Sequence, residues 1–380
     1  MSKEHKRFDL QPYLRREPVT LALLTGLAIV LFAAVAGLSR LYHAQQDALA
    51  DRWSARGVND LKAGLYGAAV TDFRTSLLYS RDNYDYQLNL ALALVGEARF
   101  DEAESYLLNL WDRQPENGLV NLELARVAVA RKQFSRAIRY YNNAIYSVWP
   151  GDQDTERRTT RLELIELLLK TGAKAQADSE LIALAANLSG QPGEHDQAGQ
   201  LFFEAQDYQR ALEQFRLTLE SNRHDPAALA GAGNTALKLG QYQLAERYLE
   251  EAVSAGDKAD AAQLKTAQLV VNLDPLRQQI STAERDRIVV QDFTAAGARL
   301  QACGAPGTSQ APPAAIQSLT QDWNKLKPQI VEWRLRRDPD LVNTAMQLVF
   351  SIERETGGVC GAPGDAGKAL LLISNLHQGL

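Results

Sequence analysis

Between Tyr84 and Asn117 the chain reads YDYQLNLALALVGEARFDEAESYLLNLWDRQPEN, and the rest of the sequence repeats this unit. Numbered from Tyr84 as position 1, small or apolar residues fall at positions 8 (Ala91), 11 (Leu94), 20 (Ala103), 24 (Leu107) and 27 (Leu110). Pro115 stands at position 32. The spacing predicts a helix A ending near Gly96, a turn at Ala98-Arg99-Phe100 with an aromatic at position 17, and a helix B opening at Asp101-Glu102. Acidic residues suit that helix start because its unpaired N–H groups carry partial positive charge. Pro115 then stops helix B. Small side chains at positions 8 and 20 let the two helices approach, and the larger ones fill the space between hairpins.

The frame recurs in steps of 34 residues. From Ala50 it places Trp53, Gly57, Gly64, Tyr66, Ala69 and Phe73 at positions 4, 8, 15, 17, 20 and 24. From Gly118 it places Ala125, Ala128, Phe134, Ala137, Tyr141 and Ala144. A six-residue insertion that includes part of Gly151-Asp152-Gln153-Asp154 shifts the next frame to Arg158, where Lys174 replaces the turn aromatic. The frame resumes at Pro192 and at Pro226. An aromatic at position 17 with alanine at position 20 thus occurs five times in register. The chain resembles the tetratricopeptide repeat superfamily over about residues 50–259, with six units of which the one at 158–191 is degenerate. That resemblance implies an all-α right-handed superhelix of stacked hairpins.

Near the start, Val19–Leu38 (VTLALLTGLAIVLFAAVAGL) is an uncharged run of the length that crosses about 30 Å of hydrocarbon. Lys3, Lys6, Arg7, Arg15 and Arg16 precede it, whereas Arg40, Arg52 and Arg56 follow. This bias predicts residues 1–18 as a cytoplasmic tail, residues 19–38 as a transmembrane helix and the remainder outside the cytoplasm, in a bacterial inner membrane. A signal peptide cut after Ala34-Val35-Ala36 is the competing expectation. No Gly or Pro lies between Ser39 and Arg56, so the apolar helix is expected to run on through a stalk at 39–49 into the first repeat. Residues 1–40 hold six of the 41 Lys and Arg side chains and three of the 46 acids; without them the net charge falls from −5 to −8. An acidic chain of this kind argues against a nucleic-acid partner.

The two cysteines stand in matching turns, Ala302-Cys303-Gly304-Ala305-Pro306-Gly307 and Val359-Cys360-Gly361-Ala362-Pro363-Gly364. In an exported chain they read as one disulfide. Two thiols with no histidine nearby fall short of a zinc ligand set, so no metal is expected. The five histidines are scattered, and no HExxH is present. Gly364–Ala369 (GDAGKA) departs from a phosphate-binding loop: Ala362 takes the first glycine's place, Ala369 replaces Ser/Thr, and no strand is predicted before it. No catalytic residue and no cofactor is assigned.

The superfamily resemblance implies that helix A lines the concave face, chiefly through positions 2, 5, 9 and 12. In the two central units these are Asp85, Leu88, Leu92 and Val95, then Leu119, Leu122, Arg126 and Val129. Six of the eight are apolar, which suits an amphipathic or extended apolar segment of a partner. The chain's own C-terminal helices are the alternative occupant. Past Gly256 the frame fades, and residues 260–380 are predicted as a C-terminal helical cap region. Its expected helices are Ala259–Leu273, a segment opened by the Ser281-Thr282-Ala283-Glu284 capping box and reaching Cys303, Ala315–Arg337 broken at Pro328, Asp340–Glu355, and Lys368–His377. GAPGTSQAPP (304–313) reads as a linker, and Trp323 and Trp333 as core.

The layout is similar to single-span, periplasm-facing tetratricopeptide proteins. It lacks the Cys-x-x-Cys of those with a terminal metal knuckle. The expected function is a membrane-anchored scaffold for other envelope or membrane proteins, with self-association open. The rival expectation is an enzyme or assembly factor whose site lies in the C-terminal region.

Overall fold

The computed structural model describes residues 17–188, 190, 192–303 and 314–377. Most of the expected cytoplasmic tail (residues 1–16) and the linker at 304–313 lie outside the described residues. The described chain is helical, with no strand and a single isolated bridge between Asn117 and Val148. It divides into two compact units at Leu164/Ile165.

The first unit opens with α1 (Glu17–Lys62), one unbroken helix of 46 residues. It joins the apolar run, the stalk and helix A of the first repeat, as the absence of Gly and Pro after Ser39 requires. Its apolar part, from Leu21 to Leu38, is exposed. It is long and apolar enough to cross a membrane. Helices α2 (Tyr66–Tyr79), α3 (Tyr84–Gly96), α4 (Phe100–Arg113), α5 (Gly118–Ala130), α6 (Phe134–Tyr146) and α7 (Gln153–Lys170) follow, and the division between units falls inside α7.

The second unit continues with α8 (Lys174–Ala185), α9 (Pro192–Glu204), α10 (Tyr208–Ser221), α11 (Pro226–Lys238) and α12 (Tyr242–Ser254). Beyond the repeats come α13 (Ala261–Leu273), α14 (Thr282–Cys303), α15 (Ala314–Leu326), a 3₁₀ turn at Lys327–Gln329, α16 (Glu332–Leu335), α17 (Pro339–Val359) and α18 (Asp365–Leu376).

The 34-residue frame is visible in burial. Ala91 and Ala125 at position 8 are fully buried, as are Ala69, Ala103, Ala137, Ala177, Ala211 and Ala245 at position 20. Position 24 carries Phe73, Leu107, Tyr141, Leu181, Phe215 and Leu249, all at most 4% exposed. Fully burying one such large side chain contributes about 1.5–3 kcal/mol, so this column accounts for much of each unit's cohesion. Every helix B begins at position 17: Tyr66, Phe100, Phe134, Lys174, Tyr208 and Tyr242. Two residues earlier, position 15 is left-handed in all six units, at Gly64 (φ 72°), Ala98 (59°), Lys132 (59°), Gly172 (78°), Gln206 (68°) and Gly240 (72°). That conformation reverses the chain between helices, and three units adopt it without glycine.

Three differences from the sequence reading have local causes. The insertion before Arg158, which reads in the sequence only as a shift of frame, lengthens helix A: Asp152 accepts from the Thr155 N–H and hydroxyl, fixing an early start for α7. A seventh helix A exists in the frame from Asp260, because α13 places Ala267 at position 8, where it is fully buried; Asp274-Pro275 then ends the pattern. Trp333 is 56% exposed, not core, whereas Trp323 is 5% exposed and its indole N–H donates to the Phe293 carbonyl.

The region after α13 builds one apolar core from α14, α15, α17 and α18, centred on Val289, Phe293, Trp323, Val349 and Ile373. Ser281 caps α14 by accepting from the Glu284 N–H at 3.2 Å. Cys303 at the end of α14 and Cys360 just past α17 form a disulfide, with Cα atoms 5.6 Å apart.

Candidate functional site

A cavity of about 920 Å³ lies in the second unit, on the inner faces of α9 and α11. Its lining follows the repeat frame. Gln200 and Phe203 are positions 9 and 12 of the unit from Pro192; Ala227, Ala230, Asn234 and Leu237 are positions 2, 5, 9 and 12 of the unit from Pro226. Asp260, Gln263 and Thr266 of α13 and Leu372, Asn375 and Leu376 of α18 complete it.

Local sequence explains the floor. Asp225 caps α11 by accepting from the Ala228 N–H at 3.1 Å, and Pro226 occupies its first turn, where no N–H is needed. The helix is then almost all small residues, PAALAGAGNTALK. A Cβ at Gly231 would lie 2.5 Å from the buried Phe215 ring, so the close approach of α11 to α10 depends on that missing carbon. Small residues at positions 2 and 5 leave the concave space open.

The walls are polar, and Gln263 Oε1 in them is buried with no hydrogen-bond partner. Asn234 donates to Asp260 Oδ1 at 2.9 Å, and Asp260 is 8% exposed. Lys238 is exposed at the rim. The α18 wall is pinned at both ends: Lys265 Nζ is 2.6 Å from Asp365, and His377 Nε2 is 3.1 Å from Asp274 Oδ1. Between these pins Ala369, Leu370 and Ile373 are buried. This arrangement offers amide groups and apolar surface to a peptide and holds no assembled acid–base pair. Among the described residues no group of three or more His, Cys, Asp or Glu could hold a metal ion.

The residues singled out from the central units meet different fates. Leu88, Leu92, Val95, Leu119 and Val129 are half-buried, and Leu88 and Val95 pack against the core of the first unit. Leu122 is 3% exposed and belongs to the interior. Arg126 is taken up by the fold: it donates to Glu123 at 2.6 Å and to both Glu163 oxygens at 2.5 and 3.1 Å. The Tyr141 hydroxyl adds a bond to Glu163 at 3.0 Å. Burial pushes the Glu123 carboxyl up, opposed by Arg126, and burial beside Glu163 raises the Tyr141 hydroxyl. The same positional rule, applied to the frames from Pro192 and Pro226, locates the groove residues of the second unit. The wall from α18 has no such signal, since it comes from outside the repeats.

Buried acids also occur in the C-terminal region. Asp292 is 2% exposed, and its carboxyl is pushed up to about 8 by burial, then by Asp274 and Glu353. Burial likewise raises Glu353, against the pull of Arg299 at 3.3 Å. Asp292 and Glu353 are closed off from solvent and packed among apolar helices, which is not how a substrate-accessible pair is placed.

Stacked helical hairpins with a concave inner groove define an α-helical repeat protein of the interaction-scaffold kind. A family model described as tetratricopeptide repeat matches at residues 54–117, 88–153 and 197–262. Over these stretches the chain belongs to the tetratricopeptide repeat superfamily. No curated protein matches the chain. Among solved structures it is similar to the C-terminal part of a TPR repeat-containing protein from Cytophaga hutchinsonii, at 12% identity and TM-score 0.45, covering 80% of this chain and 97% of that one. It is also similar to Pseudomonas aeruginosa pilF, at 18% identity and TM-score 0.42, covering 59% and 99%. YrrB, described as a TPR protein with an unusual peptide-binding site, aligns at 16% identity and TM-score 0.41, covering 51% and 97%.

Proposed function

We propose that this chain is a membrane-anchored adaptor of the bacterial cell envelope that binds a segment of a partner protein in the groove of its second unit. The carrying observation is the coincidence of the 920 Å³ cavity with the inner positions of two successive helices A. Groove-bound segments of this kind gain affinity from apolar burial and from polar groups that fix their direction. Here Phe203, Leu237 and Leu376 supply the first, and Gln200, Asn234, Gln263 and Asn375 the second. The half-buried Leu88, Leu92, Val95, Leu119 and Val129 make a second contact surface in the first unit.

For the setting, residues 19–38 are the membrane segment, with the N-terminus cytoplasmic and the bulk outside. The exposed apolar stretch of α1, the cations before it and the Cys303–Cys360 disulfide support this. A C-terminal reporter active only in the cytosol would refute it.

The groove is tested by placing a photo-crosslinking residue at Lys238 and, as a control, at Glu250 of α12. A specific adduct from position 238 that disappears in Ala230→Arg supports the reading. Adducts that survive Ala230→Arg, or that form equally from Glu250, reject it.

A further inference from the structure

The segment Lys325–Arg337, KLKPQIVEWRLRR, holds five cations and one acid in a chain whose net charge is −5. All five cations are exposed. Only Arg336 has a carboxylate partner among the described residues, Asp286 at 3.6 Å. Of the acids in and beside the segment, Asp322, Glu332, Asp338 and Asp340 are exposed, and Asp338 caps α17 by accepting from the N–H groups of Asp340 and Leu341. At the centre of the cluster stands Trp333, 56% exposed, with Arg334 and Arg337 at 5.2 and 5.7 Å from its ring. Val331 beside it is 36% exposed. The neighbouring cavity of about 370 Å³ between α15 and α17 includes Lys325 but not Trp333, more than half of whose surface is open to solvent.

We propose that this face of the C-terminal region docks on an anionic phospholipid surface. An exposed indole flanked by guanidinium groups matches the layered chemistry of a bilayer interface, where the ring sits at headgroup level and the cations meet phosphates. Of the five cations only Lys325 lines the neighbouring cavity, so an acidic peptide seated there would leave Trp333, Arg334 and Arg337 uncovered, whereas a planar surface meets all of them. The packing makes the cluster rigid: Leu335 and Ile330 are buried beneath it, and Lys327 Nζ lies 4.5 Å over the Trp323 ring. This proposal is independent of the groove.

The test uses the full chain reconstituted into vesicles of phosphatidylcholine alone or with phosphatidylglycerol, each carrying acyl-brominated lipid as a quencher. Subtracting the emission of Trp333→Phe isolates Trp333 from the other four tryptophans. Quenching of the Trp333 emission in phosphatidylglycerol vesicles only, with docking weakened on the order of twentyfold in the Arg334→Gln/Arg337→Gln variant, supports the proposal. Lys325→Gln/Lys327→Gln, at the end of α15 and in the 3₁₀ turn, is a second variant, expected to weaken docking in the same direction. Trp333 emission unchanged by brominated phosphatidylglycerol, or quenched equally in phosphatidylcholine, overturns it. So does a photo-crosslinker at position 333 that captures a protein while lipid quenching is absent, since the face would then dock an acidic protein.

Discussion

Replacing Asp292 with Asn should remove a pH dependence from the second unit. Asp292 lies in the middle of α14 at 2% exposure, its Oδ2 has no hydrogen-bond partner, and its carboxyl is pushed up to about 8. The unfolded chain releases this proton near pH 4. Between about pH 4 and 8 the folded form therefore binds more protons than the unfolded form, and stability falls as pH rises. The stabilising contribution is complete below about pH 4 and lost on passing about pH 8. A single group in that window gives a slope of about 1.4 kcal/mol per pH unit. Coupling to Asp274 and Glu353 spreads the titration, so a loss of about 1–2 kcal/mol between pH 5.5 and 7.5 is expected. Hydrogen exchange of α14 peptides in detergent, corrected for intrinsic rates, measures this directly. The wild type should lose protection across that range, while Asp292→Asn should show a much flatter profile and exceed the wild type at pH 8. Identical profiles for the two proteins, or protection that rises with pH in the wild type, would refute the assignment of a protonated buried carboxyl.

Arg126→Met should destabilise the first unit by about 1–3 kcal/mol, chiefly by leaving the buried Glu123 carboxylate without its cation while the half-exposed Arg126 and Glu163 contribute less, and adding Glu123→Gln should recover part of it; urea denaturation of the set checks this, and an unchanged midpoint would return Arg126 to the partner surface. Ala98→Gly should raise stability by up to about 1 kcal/mol, since position 15 is left-handed there; thermal unfolding reads the sign. Cys303→Ser/Cys360→Ser should lower stability by about 2–4 kcal/mol through the freed 57-residue separation, seen as faster exchange in α17 and α18.

The repeat fold is readable in the sequence because its determinants are steric and local: alanine or glycine at position 8, alanine at 20 and a large side chain at 24 each answer one close contact. Charge and partner choice are less readable. Arg126 looked like a groove cation because position alone does not reveal that Glu163, from a helix shifted by an insertion, reaches it. Trp333 looked like core because a large aromatic in a helical segment usually is, yet the break at Pro328 leaves only four residues of helix there and the indole is 56% exposed. The groove itself follows from the frame at Pro192 and Pro226, but its α18 wall depends on contacts spanning about a hundred residues, such as His377 with Asp274. Such contacts leave no periodic trace.

The continuity of α1 fixes more than a distance. From Ser39 to Lys62 it passes without a joint from the apolar stretch into the first hairpin, so the two turn together like a key and its blade. Each residue added to or removed from this span would rotate the hairpin by about 100° and shift it axially by about 1.5 Å. Length in this segment therefore sets the compass bearing of the array's first face relative to the apolar stretch, and a change of about seven residues, two whole turns, should be tolerated where a change of two is not.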